Sequence, residues 1–205
     1  MLIDINKKER KQPEDVPPSS GKNGSGRKVV VGFARREPEK VTTPETFISS
    51  QDEYLSKHLR NIDYKKSGET YHFTSNGRFA LHDIAIHIAS KLENAEVTLT
   101  SFNVSVIAAK LLLRAWDKGF FKSLRFVLNA QKKSNFKNAL QLIEGKFPIS
   151  YKPIHAKVAL IRSGEHYITV VTSGNLSSNG NIERGFISTS KAIYDFDNEW
   201  ISQLF

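Results

Sequence analysis

The 205-residue chain contains no cysteine. That excludes a disulfide framework, a thiolate zinc site, an iron–sulfur cluster and a thiol nucleophile. It also lacks a long apolar run. The longest, Val104 to Leu113, is broken by Ser105 and Lys110 and falls short of the ~20 residues that span a bilayer. Met1 to Asn6 lead straight into charged residues, without the apolar segment of roughly 7–15 residues that marks a secretory signal. The expectation is a soluble protein of a reducing compartment, the cytoplasm, with no stable membrane insertion. Proline is scarce after residue 44: five of the seven (Pro13, Pro17, Pro18, Pro38 and Pro44) come before residue 45. Residues 17–26 read PPSSGKNGSG, with almost nothing to bury against the entropy of ordering. Residues 1–44 are therefore expected to be a flexible basic tail, and residues 45–205 the folded domain.

What the chain has in excess is positive charge, 30 Lys+Arg against 21 Asp+Glu. The excess is local. Residues 110–152 carry ten basic and two acidic side chains, while residues 41–109 carry six and eight. A concentrated basic segment suits a polyanionic partner; a solvated lysine-rich surface is the plainer reading of the same numbers.

From residue 46 the hydrophobic pattern becomes that of a folded domain. Phe47 to Asn61 is a weak helix candidate. Tyr71 to Arg78 reads as loop or strand, turning at Asn76-Gly77. Leu81, Ile84, Ala85, Ile88 and Leu92 recur at helical spacing, so Phe79 to Leu92 predicts an amphipathic helix. Glu96 to Ser101 alternates as a strand does, and Val104 to Trp116, apolar nearly all round, predicts a buried helix. Then follow a strand over Leu124 to Leu128, a helix from Asn135 to Ile143 ended by Gly145, and strands over Ala156 to Ile161, Tyr167 to Thr172 and Arg184 to Ser188. A last helix is expected over Asp197 to Leu204. Strands alternating with helices predict an α/β domain with a mixed, mostly parallel sheet flanked by helices.

The chemistry is concentrated in the last third. On an extended chain, residues two apart share a face, so His155 and Lys157 point the same way. A hairpin near Gly164 returns Thr172 and Ser173 to the start of that strand, which brings Ser173 and Asn175 close to His155 and Lys157. A titrating imidazole, a fixed cation, a hydroxyl and an amide suit a phosphoryl group. His-x-Lys, then a hairpin, then Ser-Gly-Asn, then Asn181-x-Glu183 resembles the phospholipase D superfamily over about residues 70 to 205. The resemblance implies a metal-independent phosphodiester hydrolysis or transfer with no cofactor. One histidine attacks phosphorus and a second protonates the leaving oxygen. Carried onto this chain, His155 is nucleophile or acid, Lys157 and Asn175 clamp phosphate, Ser173 assists, and Glu183 orients an imidazole. Only one copy of the motif is present, so the chain supplies half a site, and the resemblance implies a homodimer with His155 of each copy facing the other. One departure stands out: the family's Asp, five residues after the Lys, is here Arg162.

Other residues invite weaker readings. Ser101-Phe102-Asn103 follows a strand at the edge where α/β sheets take ligands, so Asn103 and Phe102 are candidate substrate contacts. Lys132 and Lys133 follow the next strand at the same edge and flank the site. His72 is weighed as a groove residue against a structural role. His82 and His87 lie about 140° apart on a helix, not as a metal pair, and are expected at the surface or core edge. His166 falls in the hairpin, and Trp116 and Trp200 read as packing. Three functions compete: a nuclease gripping DNA or RNA through its phosphates, a lipid phosphodiesterase, and a binding module with a decayed site.

Overall fold

Strands and helices alternate along the chain because runs rich in β-branched and aromatic residues alternate with runs of helical period. The computed structural model describes residues 45–49, 59, 61–77, 79–177 and 180–205. The reading of residues 1–44 as a tail lies outside them. Eight strands, β1 (Glu45–Ser49), β2 (Thr70–Asn76), β3 (Ala95–Ser101), β4 (Phe121–Asn129), β5 (Ile149–Lys152), β6 (Val158–Ser163), β7 (His166–Thr172) and β8 (Ile182–Ser188), form one sheet. Their order is β1-β2-β8-β7-β6-β3-β4-β5. Among the described residues the helices are α1 (Leu81–Ala89), α2 (Val106–Asp117), α3 (Lys137–Ile143) and α4 (Lys191–Ser202), with a 3-10 helix over Ala130–Phe136.

The sheet is mixed but not mostly parallel. Parallel pairing is confined to β1 with β2, β3 with β4 and β4 with β5. The other contacts, β2 with β8, β3 with β6, β6 with β7 and β7 with β8, are antiparallel. The physical reason is loop length: Gly164, at φ 55°, closes a tight hairpin between β6 and β7, and tight hairpins join only antiparallel strands. The helix expected over Phe47 to Asn61 is also corrected at its start. Residues 47–49 belong to β1, and the β-branched and aromatic run Thr46-Phe47-Ile48 suits a strand; residues 50–58 and 60 lie outside the described residues.

Alternation along β6 divides the core. Ala159 and Ile161 join Val97, Leu99, Phe126, Ile84, Leu112 and Ile143 in the cluster beneath α1, α2 and α3. Val158 and Leu160 join Val127, Ile154 and Ile201 beneath α4. With both faces covered, β3 is buried at six of its seven residues, more than one-sided alternation implies. Helix α2, expected to be buried all round, buries only Ala108, Ala109, Leu112 and Ala115. Ile107 is 65% exposed, because only one side of α2 meets the sheet. Ser105 caps it by accepting from the Ala108 N–H at 3.1 Å, as an N-cap serine does. Among the described residues no helix is long and apolar enough to cross a membrane.

This topology brings the ends of β3, β4 and β7 and the beginnings of β6 and β8 to one edge, through the pairings Thr100↔Val158, Ser101↔Leu128, Val158↔Val171 and Thr172↔Gly185.

Candidate active site

His155 and Lys157 lie just before β6 rather than within it, in an extended segment pinned from both sides. The Thr100 hydroxyl donates to the Ala156 carbonyl at 3.1 Å and accepts from the Val158 N–H at 2.9 Å. The buried Asn129 side chain donates to the Ile154 carbonyl at 2.6 Å and accepts from the Gln131 N–H at 2.9 Å. The Lys157 carbonyl accepts from the Thr172 N–H at 3.1 Å. So held, the two side chains meet: Lys157 Nζ stands 2.9 Å from His155 Nδ1.

Their environments differ. The His155 ring is exposed, whereas Lys157 keeps 7% of its surface. Burial pushes the Lys157 ammonium below the ordinary lysine range, and the negative charge of Glu183 pulls it back part of the way. An ammonium carries three donors. Lys157 Nζ also lies 3.3 Å from His155 Nε2. Phe102, at the end of β3, packs against the imidazole with ring centroids 4.8 Å apart. Lys157 Nζ and Lys132 Nζ lie 5.9 Å and 5.6 Å from the centre of the Phe102 ring.

The second group comes from the β7–β8 connection. Ser173 Oγ donates to Glu183 Oε2 and accepts from the Arg184 N–H at 3.0 Å. The Ser173 N–H donates to the Arg184 carbonyl at 2.9 Å. Asn175, in the same connection, meets the end of β3: its Oδ1 is 3.4 Å from Ser101 Oγ. That buried hydroxyl donates to the Asn103 carbonyl at 2.7 Å and accepts from the N–H groups of Asn103 and Leu176 at 3.3 Å and 3.1 Å. The fold thus gathers His155, Lys157, Ser173, Asn175 and Glu183 at one sheet edge, with Asn103 and Lys132 beside them. Lys133 points elsewhere: it pairs with Glu144 at 3.3 Å and stands 4.1 Å from the Tyr151 ring centre. The basic run is likewise dispersed. Lys110 and Arg114 ride on α2, while Arg125, on the opposite face of the sheet, bonds Thr98 Oγ1 at 2.8 Å and covers Phe205 at 4.6 Å.

Sequence reading missed Thr100, Ser101, Asn129 and Gly185, which hold the site without belonging to its motif. A Cβ on Gly185 would meet the Val171 carbonyl oxygen at 2.3 Å and the Phe73 ring at 2.7 Å. Glycine inside a strand run is the available signal for such close approach. Arg162 is far from the cluster, about 13 Å along β6 from Val158 at ~3.3 Å per residue, and pairs with Glu96 on β3 at 2.9 Å. His82 is fully buried rather than at the surface, because α1 turns it inward; burial lowers its proton affinity, and the Asp83 charge opposes that. His72 packs edge-on to Phe186 at 6.1 Å. Among the described residues no three His, Asp or Glu side chains converge as ligands of a metal ion.

No family model matches the sequence, and no curated protein matches it. Solved structures do match its fold. Polyphosphate kinase from Porphyromonas gingivalis aligns with TM-score 0.52 and 18% identity over 74% of this chain, which spans only 29% of that protein. NucT from Helicobacter pylori aligns with TM-score 0.51 and 13% identity over 66% of this chain and 96% of its own. A weaker likeness, TM-score 0.40 at 12% identity, is to the yeast tyrosyl-DNA phosphodiesterase, over 66% of this chain and 49% of the other. The chain shares its fold with the first two of these structures, in keeping with the resemblance of its His-x-Lys and Ser-Gly-Asn segments to the phospholipase D superfamily.

Proposed function

We propose that this protein is a nuclease: a phosphodiesterase that cleaves nucleic-acid backbone through a phosphohistidine, without a metal ion, at a site completed by a second copy of the chain. The observation that carries the reading is the ammonium of the largely buried Lys157 held 2.9 Å from the exposed His155 imidazole. A partly desolvated cation beside an accessible nucleophile suits an anionic phosphoryl group better than a neutral substrate. The fold shared with NucT agrees with this choice of substrate.

The lone pair of an unprotonated His155 ring nitrogen forms a bond to phosphorus as the P–O bond to the leaving group breaks. The leaving oxygen takes its proton from the imidazolium of a second copy's His155. A water oxygen then attacks phosphorus, the N–P bond breaks, and the proton of that water passes to the second imidazole. Lys157 and Asn175 hold the phosphoryl oxygens, Ser173 assists, and Glu183 orients an imidazole. Asn103 and Lys132 contact the polymer beside the scissile phosphate, with Lys133 further out. The Arg162 departure does not weigh against activity, since Arg162 pairs with Glu96 away from the cluster.

The test is incubation with labelled single- and double-stranded DNA and RNA in excess EDTA, beside a His155→Ala variant. Cleavage is expected to survive EDTA and to fall ~10²–10⁴-fold or more in the variant, with an unchanged melting temperature because His155 is exposed. Undiminished cleavage by the variant would overturn the reading. Salt-sensitive binding without cleavage would move it to a binding module.

A further inference from the structure

A cleft of about 320 Å³ opens between the start of α2 and the 3-10 helix that leads into α3. Its lining includes Asn103, Ser105, Ser134, Asn135, Lys137 and Asn138, with Val104, Phe136 and Ala139 at its base, and no acidic residue. It begins where the site ends. Asn103, on its wall, is bonded to Ser101 through both its N–H and its carbonyl, and Ser101 Oγ is 3.4 Å from Asn175 Oδ1. Phe102, against the His155 ring, lies between cleft and cluster in the chain. The outer wall is fixed in place, since Phe136 is 3% exposed and anchors the turn whose polar neighbours face solvent.

We infer that this cleft is a binding site for the nucleotide unit adjoining the scissile phosphate, taking its phosphate and sugar from a single strand. The inference rests on the nuclease reading and extends it beyond the reacting cluster. Its volume is at the lower end of small-molecule pockets, roughly 300–1,000 Å³, which suits one nucleotide unit and not a duplex. The lining decides the chemistry. One cation, several neutral amide and hydroxyl groups and an apolar floor match a unit with one charge, a polar sugar and an apolar base face. A bare polyphosphate chain carries its charge on every unit and would call for a row of cations. Contacts of this sort go to phosphate and sugar, so they position the strand without reading sequence.

The test uses the full chain and a variant with Asn135→Ala and Asn138→Ala, both exposed side chains, so that net charge is unchanged. Binding of a fluorescent oligothymidylate, binding of linear polyphosphate of matched charge, and turnover of bis(p-nitrophenyl) phosphate are measured for each. The expected result is oligothymidylate binding weakened about tenfold, with polyphosphate binding and bis(p-nitrophenyl) phosphate turnover unchanged. Lys137→Ala should weaken oligothymidylate binding as well, and by more than Lys110→Ala, which removes the same charge from the exposed side of α2. Unchanged oligothymidylate binding in the double variant, no binding by the wild type, or equal loss for polyphosphate would each overturn the inference. Cleavage that persists with variant-insensitive binding sinks this site and leaves the nuclease reading intact. Variant-sensitive binding without cleavage by the wild type does the reverse.

Discussion

Thr100 shows how much of the site depends on residues outside its motif. Its hydroxyl takes the Val158 N–H and gives to the Ala156 carbonyl, bridging the point where the β3–β6 ladder ends and the His155–Lys157 segment begins. Thr100→Val keeps the shape and removes both bonds. A buried N–H left without a partner costs about 1–3 kcal/mol, so the melting temperature should fall by several degrees at ~2–4 °C per kcal/mol. On the nuclease reading, kcat should fall while KM changes little, because the variant loosens the reacting groups and leaves the polymer contacts in place. A kcat equal to wild type would remove Thr100 from the set of positioning residues. Gly185→Ala tests the close approach of β8 to β7 and β2. With backbone oxygen 2.3 Å and a buried ring 2.7 Å from the new methyl, overpacking of about 1–3 kcal/mol is expected. Denaturant melts that coincide with wild type would show that β8 yields freely.

Among the elements, helix α4 carries a charge that works against it. Asp197 is 8% exposed; burial raises its proton affinity, and the bond from Trp200 Nε1 at 2.9 Å lowers it. Because the folded carboxyl titrates above its unfolded value, the folded state holds the proton to higher pH. The associated stability is present below the unfolded pKa and is lost as pH rises through the folded one. Asp197→Asn keeps an acceptor for Trp200 and removes the ionisation. The variant should melt higher than wild type near neutral pH, and the difference should shrink as pH falls toward the ordinary aspartate range. A difference independent of pH would assign the effect to packing. Trp200 itself had been legible as a packing residue, and the elements around it show where legibility ends. Helix α1, strand β6 and the hairpin at Gly164 could be read from period and turn chemistry because their signals are local. The parallel or antiparallel sense of neighbouring strands could not, since it depends on which strands meet across the sheet. The proximity of His155 to Lys157 followed from two-residue spacing. The diversion of Lys133 to Glu144 and Tyr151 did not, because both partners lie beyond the next helix. Ile107 was misread because a helix apolar all round gives no sign of which side meets the sheet.

At the scale of the whole molecule, the nuclease reading asks how a chain with one His-x-Lys would perform a reaction that uses two imidazoles. Among the described residues one exposed His, His155, stands in the cluster. His82, on α1, is turned into the core, and His166 opens β7 at the opposite end of the hairpin strands, paired with Ser163. Among the described residues no second histidine is placed beside His155, so on the nuclease reading a single chain would need another proton donor for the leaving oxygen. A two-fold pair would place a second imidazole opposite the first, and two-fold pairing is the commonest oligomer symmetry. Subunit mixing separates these cases. Wild-type chain is mixed with His155→Ala at constant total concentration and left to exchange, with exchange followed by fluorescent labels on the two chains. If each reaction needs both histidines, activity should follow the square of the wild-type fraction, about one quarter at equal mixing. A monomeric site would follow the fraction itself. The same mixture also reports on the cleft lined by Asn135 and Asn138. Those residues belong to the chain that binds the strand, so the oligothymidylate affinity of the mixed population should stay at the wild-type value while its activity falls.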